Sequence, residues 1–474
     1  MTAAAGGPVW RYTAGMRSAL ILIATIAGCT GTVPNSGAAP PETGRRHVSL
    51  GSDALDAARS VAARHGAPLE ILETGAGVAV VELDAADLGR LAEEIHARHD
   101  RCGGFMVHDT LADAHAAVTA AAAFAAPASR DADLARPGFD YTLDRPEAVR
   151  AVLPALDAAR IRDTIRELSA MQNRYYQSPS GAAASLWLRD RWRSFTSRPD
   201  VTVELFETGY AQKSVILTIP GSTRPGEVVV LGGHLDSIAI GGVSSTAPGA
   251  DDDASGIATL TEVARVLLAG DYRPARTIQL MAYAAEEVGL RGSLQIARDY
   301  QRRHVDVVGA LQLDMTNYRG SDKDIWLMKD FTSAAQNVFL ATLIDTYVGA
   351  TWGVDACGYA CSDHAAWTRI GVPASMPFEA RMRDANRQIH TRKDTLETSD
   401  ANAAHAVKFA RLAAAYAIEL GKGELPSPPA LTAAASPAPP APRDAAGRGL
   451  LAATSLALLL AGAWLARLVL ARDA

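Results

Sequence analysis

The pattern of hydrophobic and polar positions divides the chain into a small N-terminal region and a larger second region. Residues 47–121 mix helical spacing of apolar residues with short strand-like runs. The elements predicted there are helices at 53–65 and 85–97 and strands at 78–83 and 105–107. Helices and strands so close together predict a compact α+β module. An Ala-rich stretch at 116–128 predicts a break between this module and the rest of the chain.

In the second region, residues 138–424, strand-like and helix-like segments alternate regularly. The run 228–231 is apolar throughout, as in a strand buried on both faces, and an amphipathic helix begins after Asp157, its predicted N-cap. Further strands are predicted at 201–206, 214–218, 277–283, 307–313 and 374–376, and further helices at 256–268, 292–302, 332–347 and 402–420. This alternation predicts an α/β fold, a mostly parallel twisted sheet flanked by helices, with ligands bound at the carboxyl ends of the strands.

The N-terminal end of the chain has the composition of an export signal. A basic residue, a short apolar stretch and small residues before Cys29 predict a signal peptide over 1–29, with Met16 as an alternative start. Residues 26–29 resemble a bacterial lipobox, which would make Cys29 a lipidated N-terminus; the alternative is an ordinary cleavage site. The α+β module that follows is therefore expected to be a pro-domain, or else an accessory domain that stays attached.

The C-terminal end predicts a linker followed by a membrane or sorting segment. Residues 425–448 are rich in Pro and Ala and should be extended. Residues 449–474 carry an apolar run that predicts a C-terminal helix able to span a membrane, with Arg467 and Arg472 on the cytoplasmic side. We therefore expect an exported protein of the cell envelope, anchored in the membrane or secreted after processing.

Composition and charge exclude several classes of protein. The chain has 52 acidic and 46 basic residues and a net charge of -6, so it lacks the cationic field that concentrates nucleic acid. Its 39 Gly, 24 Pro and 4 Cys exclude collagen-like, disulfide-scaffold and wholly disordered chains. A nucleic-acid partner is not expected.

Polar side chains follow three of the predicted strands at the points where the strands end. Neighbouring parallel strands would bring these side chains to one edge of the sheet, where a loop acid and a loop histidine could join them. The side chains are His234 and Asp236, Glu286 and Glu287, and Asp314, and the loop residues are Asp252 and His390.

The composition of this set predicts a metal centre. Acids placed directly after apolar strands would cost several kcal/mol if they were buried without a cation. Nitrogen and oxygen ligands without thiolates suit zinc or cobalt, and the excess of carboxylates suits two ions that share one bridging carboxylate. Of the neighbouring Glu286 and Glu287, one would bind an ion and the other would act as a base. Asp236 is placed to accept the second ring N–H of His234.

Five segments are similar, in the same order, to secreted bacterial leucyl aminopeptidases of the M28 zinc peptidase family. They are residues 232–237, 247–256, 282–293, 311–318 and 357–364. The resemblance implies a zinc aminopeptidase-like fold with two Zn²⁺ ions per catalytic domain. Asp252 would bridge the ions, His234 and Asp314 would complete one site, and Glu287 and His390 would complete the other. The family's histidine corresponds to His390 rather than to His364.

The resemblance also implies the remaining roles. Glu286 would be the general base, Tyr359 would donate to the developing oxyanion, and Cys357 and Cys361 would form a disulfide, which leaves Cys102 unpaired. The substrates would be peptides with a free N-terminus that lose one large apolar residue such as Leu, Phe or Met. The expected apolar pocket comprises Met315, Met328, Met376, Phe378 and Ile389, beside Tyr359 and the two disulfide cysteines.

Two other functions are compatible with the same fold. A glutaminyl cyclase would use a single zinc ion, and a receptor-type ectodomain would have lost metal ligands. The presence of all five implied ligands and of the glutamate base argues against a receptor. Met382 and Ala385 stand where the related enzymes carry aromatic residues, which predicts an enlarged pocket.

Overall fold

The structure, a computed structural model, describes residues 43–66, 68–99, 101–125 and 141–426. The predicted signal peptide with Met16 and Cys29, nearly all of the 425–448 linker, and the apolar C-terminal helix predicted within 449–474 lie outside these residues. Among the described residues, no helix is both long enough and apolar enough to cross a membrane.

The N-terminal module is an antiparallel sheet covered by helices, which confirms the α+β prediction. Its four strands have the order β2-β3-β1-β4. β1 is paired on both sides, with Val48 opposite Val81 of β3 and Val107 of β4. The elements are β1 (Arg45–Gly51), α1 (Leu55–Ala63), β2 (Glu70–Gly75), β3 (Val78–Asp84), α2 (Leu88–His99), β4 (Phe105–His108) and α3 (Leu111–Ala125).

The Ala-rich stretch that was expected to be a break is helical up to Ala125. α3 (Leu111–Ala125) places Ala114, Ala117 and Val118 against the sheet, and all three are buried. Alanine has the highest helix propensity of any residue and its small side chain allows close packing. The prediction of a break beginning at residue 116 is therefore wrong, because an Ala-rich composition also suits a packed helix.

The second region is built on a six-stranded sheet of order β12-β9-β7-β8-β6-β5 and a three-stranded sheet of order β11-β10-β13. The strands are β5 (Thr202–Phe206), β6 (Ser214–Ile219), β7 (Arg224–His234), β8 (Arg276–Tyr283), β9 (Asp306–Gln312), β10 (Ile325–Met328), β11 (Trp352–Asp355), β12 (Ala374–Ser375) and β13 (Pro377–Phe378). The helices are α4 (Pro146–Val152), α5 (Ala158–Ser169), α6 (Pro179–Arg193), α7 (Ala254–Ala269), α8 (Arg291–Arg302), α9 (Ala334–Leu343), α10 (His364–Arg369) and α11 (Ala406–Gly421).

The large sheet is mixed rather than mostly parallel. Strands β12, β9, β7 and β8 are parallel to one another, whereas β6 is antiparallel to β8 and β5 is antiparallel to β6. The connection at 207–213 between β5 and β6 is too short for a parallel crossover, so these strands form a hairpin. The predicted parallel arrangement is correct for the centre of the sheet, where the polar side chains lie.

Helices pack on both faces of the large sheet, as predicted. One face carries the larger hydrophobic cluster, to which α5, α7 and α11 contribute, and the other face carries a cluster with α8. The predicted N-cap is present, because the Asp157 side chain accepts from the N–H of Ala159 at 2.8 Å. These layers hold the ends of β7, β8 and β9 in place and leave that edge of the sheet free for a site.

Candidate metal centre

The three central strands end side by side and carry the predicted polar residues to one edge. β7 ends at His234, the pair Glu286–Glu287 follows the end of β8, and Asp314 follows the end of β9. In the parallel register, Gly232 of β7 lies opposite both Met281 of β8 and Gln312 of β9. The predicted edge of the sheet is therefore the place where these side chains meet.

One histidine and two aspartates form the first group of donor atoms. His234 Nε2 lies 2.9 Å from Asp252 Oδ1 and 3.4 Å from Asp314 Oδ1. Around a tetrahedral zinc ion with ligands at about 2.0–2.1 Å, neighbouring donor atoms are about 3.3 Å apart. All three residues are buried. The spacing of the three donor atoms fits a divalent ion between them.

A second group shares Asp252 with the first. His390 Nε2 lies 3.2 Å from Asp252 Oδ2 and 2.7 Å from Glu287 Oε2. The two oxygens of Asp252 therefore face two different histidines. Several of these buried atoms have no hydrogen-bond partner, namely Asp252 Oδ1, Asp314 Oδ1, both Glu287 carboxylate oxygens and His390 Nε2. Buried unpaired donors and acceptors are costly, so the two groups fit a pair of cations held by one bridging carboxylate.

The pKa values at the centre show how burial and neighbouring charges act on its carboxyl groups. Burial raises the pKa of Glu287 to about 7 and raises the pKa of Glu286 well above its ordinary value. Burial also opposes ionisation of Asp252, but the nearby imidazoles of His234 and His390 outweigh burial and lower the pKa of this carboxyl. With more carboxylates than imidazoles, the site would be stabilised by added positive charge.

Asp236 positions the two glutamates through their backbone. Its carboxylate accepts from the N–H of Glu286 at 2.9 Å and from the N–H of Glu287 at 3.2 Å. Asp236 Oδ1 lies 3.6 Å from His234 Nδ1, which exceeds hydrogen-bond distance. The hydrogen bond to the imidazole that was expected from the sequence is not formed at this distance, and the observed partners fix the turn that carries both glutamates.

The neighbours of Asp252 hold the surrounding loops. Asp253 caps α7 through the N–H of Gly256 at 2.8 Å, and it also accepts from the backbone N–H groups of His234 at 3.0 Å and Met315 at 3.2 Å. Asp394 accepts from the N–H groups of residues 251 and 252, each at 3.1 Å. Sequence analysis assigned no role to Asp253 or Asp394, although Asp394 lies only four residues after His390.

Arg174 is a further residue that sequence analysis missed. Its side chain is fully buried and donates to backbone carbonyls of four residues, namely Leu168 at 3.5 Å, Leu235 at 2.9 Å, Pro248 at 2.5 Å and Gly249 at 2.8 Å. The guanidinium thereby ties the segment after His234 to the segment before Asp252. No local pattern marks an arginine as buried, so the sequence offered no signal for it.

The loop of residues 357–364 places an aromatic hydroxyl beside the centre. Cys357 and Cys361 form the predicted disulfide. Between them, the Tyr359 hydroxyl is buried without a hydrogen-bond partner, and burial raises the pKa of this phenol, so it stays protonated. His364 is directed elsewhere, with Nε2 3.1 Å from the carbonyl oxygen of Asp330, and burial lowers the pKa of this imidazole to about 4.

The predicted pocket residues form one apolar cluster next to the centre. The cluster comprises Met315, Trp326, Met328, Tyr359, Cys361, Met376, Phe378 and Ile389, with Cys357, Met382 and Ala385 at its margin. Most of them line a cavity, whereas Trp326, Met328 and Cys357 pack in the cluster without lining it. Arg101 and Cys102 of the N-terminal module also line the cavity, whose volume of about 40 Å³ leaves room for about three water molecules.

Comparison with known proteins identifies relatives of this chain. A model of peptidase family M28 matches residues 214–415. Leucine aminopeptidase 1 of Uncinocarpus reesii is 35% identical over 286 residues, which are 57% of this chain and 71% of the relative. Leucine aminopeptidase 1 of Coccidioides posadasii is 35% identical over 290 residues, 58% of this chain and 74% of the relative.

Solved structures of other proteins are also similar to this chain. The LapA aminopeptidase of Legionella pneumophila matches with a TM-score of 0.66 and 27% identity over 81% of this chain and 100% of LapA. LapB of the same organism matches with a TM-score of 0.66 and 28% identity over 80% of this chain and 100% of LapB. The similarity extends to fungal as well as bacterial proteins. Together with the two groups of donor atoms, these matches show that the chain belongs to peptidase family M28 and is a metallo-aminopeptidase with two zinc ions as its cofactor.

Proposed function

We propose that this enzyme removes one large apolar residue from the free N-terminus of peptides, with the roles expected from the sequence. Asp252 would bridge the two ions, His234 and Asp314 would complete one site, and Glu287 and His390 would complete the other. The observation that carries this assignment is the bridging position of Asp252. One of its oxygens lies 2.9 Å from the first imidazole and the other lies 3.2 Å from the second.

The side chains around the ions would have different roles in the reaction. When bound, the ions polarise the scissile carbonyl and lower the pKa of the attacking water. Glu286 would take the proton from that water and later give it to the leaving amine, and burial suits it to this role because it raises the pKa of this carboxyl. The protonated Tyr359 hydroxyl, which is buried without a partner, would donate to the developing oxyanion.

A glutaminyl cyclase remains the alternative reaction on this fold. That reaction would need one zinc ion, so the second group of donor atoms at Glu287 and His390 favours the peptidase. An assay that compares cyclisation of N-terminal Gln with release of N-terminal Leu separates the two. Efficient cyclisation without release of leucine would contradict the proposed reaction.

The apolar pocket predicts the order of substrates. With Met382 and Ala385 at its margin instead of aromatic residues, the pocket should accept side chains larger than Leu. An extra methylene in such a pocket is worth about 1–3 kcal/mol at most. We expect kcat/KM for N-terminal Phe and Met to equal or exceed that for Leu. N-terminal Asp and Glu should be poor, because a buried carboxylate would lack a cation.

The measurement is kcat/KM on otherwise identical peptides that begin with Leu, Phe, Met, Ala, Lys or Glu. Ala serves as the matched control, since it removes the side chain that the pocket would bind. A preference for Lys or Glu would overturn the pocket assignment. A clear preference for Leu over Phe would overturn only the prediction that the pocket is enlarged.

We further propose that the enzyme is exported, as in the secreted bacterial enzymes that the sequence resembles. The Cys357–Cys361 disulfide supports an oxidising compartment. The proposed signal peptide over 1–29, lipidation of Cys29 and a membrane anchor within 449–474 rest on the sequence alone. Mass spectrometry of the mature protein would test all three.

The N-terminal module is proposed to be a pro-domain that covers the site. Its core is continuous with the second region, because Phe105 and Val107 pack in one cluster with Tyr176, Ile238 and Val288. The backbone is joined as well, since the N–H of Val107 donates to the carbonyl of Gly289 at 3.2 Å. Both contacts flank the Glu286–Glu287 turn and support a covering role.

Removing the module should raise activity. Chain 30–424 should be at least about tenfold less active than chain 138–424 at equal zinc content, because only the shorter chain leaves the pocket open. The measurement is leucine-anilide hydrolysis with metal analysis of both samples. Far-ultraviolet circular dichroism confirms that chain 138–424 is folded. Equal activity would show that the module is an accessory domain.

A further inference from the structure

Cys102 of the N-terminal module lies at the metal centre. It is a free cysteine, it is half-buried, and it follows α2 in the short segment that leads to β4. Its Sγ, one carboxylate oxygen of Asp252 and one ring nitrogen of His390 all lie within 4.8 Å of one another. Two of these three residues are proposed ligands of the second ion, so the sulfur lies beside that site.

The distances suit a sulfur that shares a cation with these ligands. Cys102 Sγ lies 3.8 Å from Asp252 Oδ2. A tetrahedral ion with Zn–S near 2.3 Å and Zn–O near 2.0 Å separates such a sulfur and oxygen by about 3.5 Å. His390 Nε2 and both oxygens of Glu287 are more than nine-tenths buried and lack hydrogen-bond partners. These atoms therefore point to a ligand at the position that the sulfur faces.

We propose that Cys102 is a metal ligand, which the N-terminal module contributes to the ion held by Asp252, Glu287 and His390. The inference rests on the proposed two-ion centre and adds a sulfur donor to it. With this ligand the second ion would have four protein donors, which is the number typical of closed structural zinc sites rather than of open catalytic sites. The module would then block the centre by occupying a coordination position as well as by covering the pocket.

The segment around Cys102 is shaped for this close approach. Gly104 has φ +58°, and a Cβ there would lie 2.2 Å from the ring of Tyr359, so only glycine fits without a clash. The guanidinium of Arg101 lies over the same ring, 3.9 Å from its centre. The neighbouring His96 ring lies 4.7 Å from the His390 ring. Three residues of the module thus contact Tyr359 or His390, and they hold the sulfur at the ion.

Opening of the site would be a ligand exchange. The metal–sulfur bond would break, a water molecule would take the vacated position, and the released thiolate would take up a proton from solvent. No oxidant or reductant is needed. The competing explanation is a thiol that donates a weak hydrogen bond to Asp252 without binding a metal, since the 3.8 Å distance also allows that contact.

Cobalt substitution distinguishes these two explanations. The intact chain is freed of metal, loaded with Co²⁺ and examined by absorption spectroscopy, because a thiolate bound to cobalt produces a charge-transfer band in the near ultraviolet. We expect the band in the wild type and its loss in Cys102→Ser. Arg101→Ala is the matched control: it loosens the same segment but keeps the sulfur, so the band should remain.

Labelling of Cys102 by a thiol reagent provides a second measurement that needs no variant. Zinc should protect the thiol in the intact chain, and a chelator should restore labelling. Two results would overturn the assignment of Cys102 as a ligand and leave the two-ion centre intact. One is absence of the band in wild-type protein that holds two cobalt ions, and the other is labelling at the same rate with and without metal. Binding of fewer than two cobalt ions would instead overturn the proposed centre, and this inference with it.

Discussion

Replacing Glu286 with alanine should lower turnover by at least about 10²-fold while both zinc ions stay bound. The carboxyl is buried beside the centre, and burial raises its pKa well above the ordinary value, as a proton shuttle requires. Its backbone N–H is held by Asp236, so the turn should persist after the side chain is removed. The measurements are kcat on a leucine peptide and zinc content of the same sample.

Glu286→Gln is the matched control for this experiment, because it keeps the shape of the side chain but cannot accept the proton. It should be about as inactive as the alanine variant. Loss of zinc from either variant would show that the roles of the two neighbouring glutamates are exchanged. Turnover within a few-fold of wild type would remove Glu286 from the reaction.

Glu287→Ala should release one of the two zinc ions. Its Oε2 lies 2.7 Å from His390 Nε2 and neither of its carboxylate oxygens has a hydrogen-bond partner, so its role is best explained by a cation. Without it, the ion would keep only Asp252 and His390 as ligands from the second region. The experiment uses chain 138–424, because Cys102 would add a further donor in the intact chain.

Metal analysis after dialysis gives the number of ions, which should fall from two to one per chain. Asp314→Ala provides the comparison, since it should weaken the other ion, next to His234. Retention of two ions in Glu287→Ala would contradict its role as a ligand. Loss of both ions would show that the two positions are not filled independently.

The residues at the centre could be predicted because strand ends and sheet topology determine where they lie. Apolar runs followed at once by His234, by the glutamate pair and by Asp314 are visible in the sequence, and the parallel pairing of β7, β8 and β9 brings them together. The same local patterns predicted most long helices and strands. β13, which has only two residues (Pro377–Phe378), carries too few positions for a pattern to be recognised.

Other parts of the site depend on tertiary contacts that local patterns do not encode. His390, Ala285 and Met315 have left-handed backbone conformations, with φ of 55°, 59° and 57°, that are uncommon outside glycine. Only the surrounding fold can impose such conformations. The position of Cys102 beside Asp252 likewise joins residues 150 positions apart. The sequence analysis noted only that Cys102 is left unpaired and drew no role from it.

The buried guanidinium of Arg174 has a consequence for judging relatives of this enzyme. Its N–H groups bind backbone carbonyl oxygens in several directions at once, in addition to the attraction between its charge and nearby buried aspartates. Lysine offers a single nitrogen and would leave some of these carbonyls unpaired. A homologue could keep every metal ligand and the glutamate base but carry Lys at this position. It would retain the full motif, but we expect it to lose the fixed positions of the segments that Arg174 holds together. We therefore expect competent relatives to carry Arg at the position of residue 174 in addition to the motif residues.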